Sequence, residues 1–151
     1  GDRRDRAIAC LTSLLAQDVI AAMEIQLFDC GPNQPPLPGS EHPAVRTIHI
    51  PPDTLFSTAK ARGIREAKAP VFVFFEEHCR AHAGWARALI EAHRAPSDPT
   101  QKPLAGVGAE VHNGNGRVGT SRHLELANYH PWLPPAPRAS SNWWTASFRV
   151  E

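Results

Sequence analysis

The run Val71-Phe72-Val73-Phe74-Phe75-Glu76-Glu77-His78-Cys79 decides the reading of this chain. A short apolar stretch, mostly aromatic, stops abruptly at two carboxylates and an imidazole. Runs of this length bounded by turn signals suit strands buried on both faces of a sheet. In open α/β sheets, ligands bind outside the carboxyl ends of such strands. The pattern therefore predicts a strand that delivers an acidic, metal-capable cluster to the place where a ligand sits. Gly84-Trp85 and an amphipathic helix follow after a short loop.

On either side of this run, strands and helices alternate. Ile8, Leu11, Leu14 and Leu15 recur at helical spacing, predicting a helix over residues 5–22. Residues 23–28 alternate as a strand and end at Asp29-Cys30-Gly31-Pro32. Residues 45–50 are β-branched and alternating, which predicts a second strand. A helix over 55–68 is capped by Asp53 or Thr54 and offers Phe56, Ala59, Ile64 and Ala67 for packing. Residues 85–93 form a helix with Trp85, Leu89 and Ala92 on one face. Residues 104–111 read as a strand, 112–116 as a turn, 121–129 as a weaker helix and 144–150 as a last strand. Prolines cluster at 32–38 and 131–137 and mark two irregular connections. This order implies one α/β domain over residues 1–151, with helices on both faces of a mainly parallel sheet and right-handed crossovers.

Composition excludes several classes. At 151 residues, 42% hydrophobic and 21% charged, the chain reads as a globular domain with a real core. Its formal net charge of +1 gives no bulk attraction to nucleic acid. No apolar run approaches the roughly 18 residues of a membrane span. Cys10, Cys30 and Cys79 contain no CxxC pair, which fits reduced thiols in the cytoplasm.

The order of strand, acidic tip and Gly-Trp helix resembles the donor-binding core of the family-2 glycosyltransferases. Three motifs carry the likeness. Glu76-Glu77-His78 stands where that family has a DxD motif at a strand end. Phe28-Asp29-Cys30-Gly31 stands near its Asp-Asp-Gly-Ser turn. Ala59-Lys60-Ala61-Arg62-Gly63-Ile64 stands near its Ala-Arg-Asn-x-Gly-Ile segment. Cys10-Leu11-Thr12-Ser13-Leu14-Leu15-Ala16-Gln17 is similar to its first helix, Gly106-Val107-Gly108-Ala109 to a later strand, and residues 142–149 to the segment before its acceptor site. Each motif is weak alone; their order and spacing make the match specific.

The resemblance implies a GT-A fold, a three-layer α/β/α sandwich of the nucleotide-diphospho-sugar transferase type. It implies a nucleotide-sugar donor and an acceptor that is a glycan, a lipid or a small molecule. It places Asp29, Lys60, Glu76 and Glu77 against the nucleotide, and Glu76 and His78 at a divalent cation, Mn²⁺ or Mg²⁺. Hard cations of this kind are held by one or two carboxylates plus substrate phosphates; the imidazole favours Mn²⁺ over Mg²⁺. Asp29 would accept a base N–H, and Lys60 would reach the diphosphate as a point charge. The implied location is the cytoplasm, including the inner face of the membrane. The family also has a central strand before its first helix and a general base beyond the last residue here. The expectation is that another segment, or a strand of a second copy in a homodimer, fills the slot, and that these 151 residues bind donor with little turnover.

Simpler readings stand beside these. Glu76, Glu77 and His78 also suit a polar strand terminus. Asp29-Cys30-Gly31 suits an ordinary turn, and Lys60, Arg62 and Arg65 a solvated face. His78, Cys79 and His82 could hold a structural zinc. The altered motifs could mark a non-catalytic module that binds a nucleotide or a protein. Trp143 and Trp144 could stack on an acceptor sugar or pack in a core; Trp85 reads as a core anchor.

Overall fold

The computed structural model describes residues 4–31, 35–94, 106–109 and 146–149. Among the described residues three α-helices are present: α1 (Arg4–Leu15), α2 (Phe56–Glu66) and α3 (Trp85–Arg94). Five strands accompany them: β1 (Ile25–Asp29), β2 (Val45–His49), β3 (Val71–Val73), β4 (Gly106–Gly108) and β5 (Ala146–Arg149). The chain is thus mixed α/β. The turn expected at 112–116 and the helix expected at 121–129 lie outside the described residues.

The strands form two sheets. β1 and β2 pair in parallel, with Ile25 opposite Val45 and Asp29 opposite His49. Parallel neighbours need a crossover of a dozen or more residues, which the proline-rich loop between them supplies. The second sheet has the order β3-β5-β4, and β5 runs antiparallel to both partners. The expectation of a mainly parallel sheet therefore holds for β1–β2 and fails for the last strand. Strand direction is set by distant pairing, which local periodicity does not encode. β1 and β3 are not hydrogen-bonded neighbours, and among the described residues no strand joins them.

α1 ends seven residues earlier than its periodicity suggests, at Leu15. The reason is Gln17. Its backbone N–H bonds the Leu14 carbonyl in a tighter turn, its side chain swings into the interior, and residues Ile20–Ala22 continue as a separate 3₁₀ turn. The described core consists of Cys10, Leu11 and Leu14 of α1, Ala86 and Leu89 of α3, and Ile48 of β2. Each buried leucine contributes about 2 kcal/mol.

The aromatic run departs from expectation in two ways. Its ladder ends at Val73, and its residues are half-buried rather than enclosed on both faces. β5 offers Arg149, Phe148 and Ser147 opposite Val71, Phe72 and Val73, so pairing stops there. Phe74 and Phe75 still point to opposite sides. Phe74 meets Phe72 edge to face at 5.5 Å and lies under the Lys60 ammonium of α2; Phe75 meets Trp85 of α3 at 5.0 Å. Helices therefore flank this segment on both sides.

α2 begins at Leu55 as its cap, with no side-chain cap hydrogen bond, so neither Asp53 nor Thr54 plays the expected role. Phe56 and Ile64, expected to pack, are 59% and 38% exposed. The inward face is the one carrying Lys60 and Gly63; a Cβ at Gly63 would sit 3.4 Å from Phe28 of β1. The far end of α2 is tied down electrostatically. Glu66 accepts from Arg62 at 2.6 Å and from Arg46 of β2 at 2.7 Å, and these bonds hold its carboxyl below the usual carboxylate range. A depressed carboxyl gives stability that is present above its ordinary value and lost as pH falls through the lower folded one. Glu66→Gln should therefore flatten the loss of stability with acidification below pH 4.5, read by denaturant melts at several pH values.

Candidate functional site

The acidic tip is positioned by α1. The Glu76 carbonyl accepts from the Cys79 N–H at 2.9 Å and from the Cys10 thiol at 3.6 Å, which closes a turn over 76–79 against the helix. Three residues on, the Ser13 hydroxyl accepts from the Ala81 N–H at 2.9 Å. One turn further, Gln17 is 3% exposed and fully engaged. Its Nε2 donates to the Ser13 and His82 carbonyls at 3.1 and 3.0 Å, and its Oε1 accepts from the Ala86 N–H at 3.0 Å. Cys10 and Ser13 on α1, and Gln17 two residues past its end, are spaced i, i+3 and i+7 and turn toward the same segment. Together they hold the whole 76–86 segment and satisfy a first-turn N–H of α3.

Within that frame, the Glu76 Oε2 and His78 Nε2 atoms are 3.2 Å apart, and both side chains reach solvent. Two ligands at right angles around an ion with bonds of roughly 2.1 Å lie about 3 Å apart. That separation is also the one an imidazole–carboxylate ion pair takes when no ion stands between the two atoms. Glu77 is exposed beside it. Among the described residues no group of three or more His, Cys, Asp or Glu is placed to hold a metal, neither Glu76, Glu77 and His78 nor His78, Cys79 and His82.

Lys60 stands over two rings, 4.2 Å from the Phe56 centroid and 4.7 Å from that of Phe74. The contacts orient the ammonium by cation–π attraction. Asp29 makes the turn that Asp-x-Gly predicts: Oδ1 accepts from the Gly31 N–H at 2.9 Å, and Oδ2 lies 3.5 Å from His49 Nδ1. One turn of α2 links these residues. Lys60 meets Phe74, two residues before Glu76, while a Cβ at Gly63 would lie 3.4 Å from Phe28, one residue before Asp29. No direct contact joins Asp29 to the Glu76–His78 pair. An open surface depression of about 410 Å³ lies between the start of α3 and β4, lined by His82, Trp85 and Val107 among others; neither Asp29, Lys60, Glu76 nor His78 lines it.

The cysteines near the tip are poor nucleophiles. Burial pushes the Cys10 thiol from 9.0 up to about 12, with the charges of Cys79 and Glu77 adding to the effect. Burial also raises Cys79, reinforced by Glu76 and Glu77. Thiolate is the reactive form. Iodoacetamide at pH 8 should modify the exposed Cys30 rapidly and spare Cys10, read by mass spectrometry of peptides. The folded chain resists a deprotonation that the unfolded chain permits, so stability should fall as pH rises from 9 toward 12.

The clamp residues Ser13 and Gln17 carry no role in the sequence reading. The available signal was positional: Gln17 continues the stripe of Cys10, Leu11 and Leu14, and a polar group on a buried stripe needs partners. The side chains of Trp143 and Trp144 lie outside the described residues. No helix among the described residues is long and apolar enough to cross a membrane. Comparison with known proteins finds no matching family model, no similar curated protein and no similar solved structure.

Proposed function

We propose that this chain is the donor-binding part of a glycosyltransferase of the family-2 type, holding a nucleotide-diphosphate sugar for transfer to a glycan, lipid or small-molecule acceptor. The observation that carries the reading is the 3.2 Å Glu76–His78 pair at the tip of the aromatic segment, braced from behind by α1. Glu76 and His78 would hold Mn²⁺ or Mg²⁺ together with diphosphate oxygens. The ion, when bound, neutralises charge on the departing nucleotide. Lys60, oriented by Phe56 and Phe74, would add a positive charge for the diphosphate. Asp29 has its carboxylate fixed by Gly31 and His49, and would accept an N–H of the base through its remaining lone pairs. Helix α2 on the Phe74 side of the segment and α3 on the Phe75 side are compatible with a three-layer GT-A arrangement.

A second reading draws on one observation: both Asp29 oxygens already have partners within the chain. A non-catalytic module of the same fold could keep that turn with no nucleotide. Calorimetric titration with the diphosphates of uridine, guanosine, cytidine and thymidine, each with and without Mn²⁺, separates the two. Binding that requires the metal supports the donor site. No binding to any of them supports the non-catalytic module.

A further inference from the structure

We propose that the corner between β2 and α2 rests on an anionic lipid bilayer, with Leu55 and Phe56 entering the interface and Arg65 and Lys68 meeting the headgroups. The sequence builds the corner. Pro51-Pro52 cannot continue the ladder of β2, and the chain turns back as the Thr54 N–H donates to the Pro51 carbonyl at 3.0 Å. Four of the six residues from 51 to 56 are apolar, Pro51, Pro52, Leu55 and Phe56, and all four are exposed. Leu55 is 70% and Phe56 59% exposed, and Ile64 adds a third large apolar side chain two turns along α2. Single exposed leucines are ordinary, whereas adjoining large apolar groups mark a surface that meets an apolar partner.

Charge selects the partner. Residues 53–68 hold four cations, Lys60, Arg62, Arg65 and Lys68, against two carboxylates, Asp53 and Glu66. Glu66 is engaged by Arg62 and by Arg46 of β2, so it does not offset Arg65 and Lys68, which are both exposed. The Lys60 ammonium stands 4.2 Å from the centre of the Phe56 ring, which puts a further positive charge directly behind the apolar tip. Asp53 is the opposing charge within the turn. Apolar insertion and attraction to anionic headgroups act together in helices that lie on membranes. Shape favours a bilayer over an acidic protein. Residues 51–53 and 55–58 are all exposed, and a projecting tip enters a fluid interface without a matched pocket.

Co-sedimentation of the full chain with vesicles tests the assignment. The native chain should bind vesicles containing about one-third phosphatidylserine at least about tenfold more tightly than vesicles of phosphatidylcholine alone, and salt should narrow the difference. Leu55→Ser should weaken binding to the anionic vesicles about fivefold or more. Arg65→Glu with Lys68→Glu should reduce it to the level of the neutral vesicles. Both variants alter exposed positions, and unchanged melting temperatures show that the fold persists. Should either variant melt early, Leu55→Ala and Arg65→Gln with Lys68→Gln replace them. Phe56 is left in place because it orients Lys60, so vesicle binding and metal-dependent nucleotide binding are read separately. No binding to either vesicle, equal binding to both, or native binding by the variants overturns the proposal. So does a dimer that Leu55→Ser abolishes in a chain that ignores vesicles, which would assign the corner to a second copy.

Discussion

Gln17→Leu should lower folding stability by about 3 kcal/mol, a large share of the 5–15 kcal/mol that holds a domain together. Leucine is close to glutamine in size, so the change is chiefly the loss of hydrogen bonds. Native Gln17 donates to the carbonyls of Ser13 and His82 and accepts from the Ala86 N–H, all at 3.0–3.1 Å in an interior position. Removing one partner of a buried polar group costs about 1–3 kcal/mol. The Ala86 N–H and the Ser13 carbonyl lose the partner that Gln17 gives them, while the His82 carbonyl keeps the Trp85 N–H at 3.1 Å. Gln17→Glu should be no milder. It keeps the acceptor for Ala86 but brings a charge and loses both donations. Urea melts of the three chains check the order. A Gln17→Leu chain as stable as the native one would show that α1 does not brace the 76–86 segment.

The second large effect concerns Glu76 and His78. Glu76→Gln keeps the shape and removes the charge; His78→Ala removes a donor atom altogether. Each should weaken Mn²⁺-dependent nucleotide binding by at least about 100-fold, beyond the 10–100-fold typical of groups that only orient a ligand. Folding should be little affected, because the two side chains are 24% and 36% exposed and meet each other at the surface. Glu77→Gln and Lys60→Ala should have smaller effects, since Glu77 lies outside the pair and Lys60 acts through charge alone. Equal metal-dependent affinity in native and Glu76→Gln chains would remove the pair from the binding site.

Much of this was legible in the residues, for local reasons. β1 and β2 follow from alternation and bounding turns, and their observed limits differ from the sequence reading by two residues at most. α3 follows from the spacing of Trp85 and Leu89. What escaped the sequence depends on contacts between distant segments. α1 stops at Leu15 because Gln17 finds partners 65 and 69 residues away. The aromatic strand is short because β5 pairs with only three of its residues, and β5 is antiparallel because of where it docks. Phe56 is exposed because α2 turns Lys60 and Gly63 inward. For the site, the acidic tip and the Asp29 turn were visible as residue types. The brace behind the tip and the depression beside Trp85 were not, because both are assembled from α1, α3 and β4, far apart in the chain.

Paramagnetic broadening by Mn²⁺ tests the central claim most directly. In amide spectra of the native chain with a binding nucleotide diphosphate, traces of Mn²⁺ should broaden Glu76, Glu77, His78 and Cys79 first, then the neighbourhood of Lys60 and Phe74. The same additions to Glu76→Gln should leave those signals sharp. Broadening centred elsewhere, or none that depends on Glu76, would contradict the account.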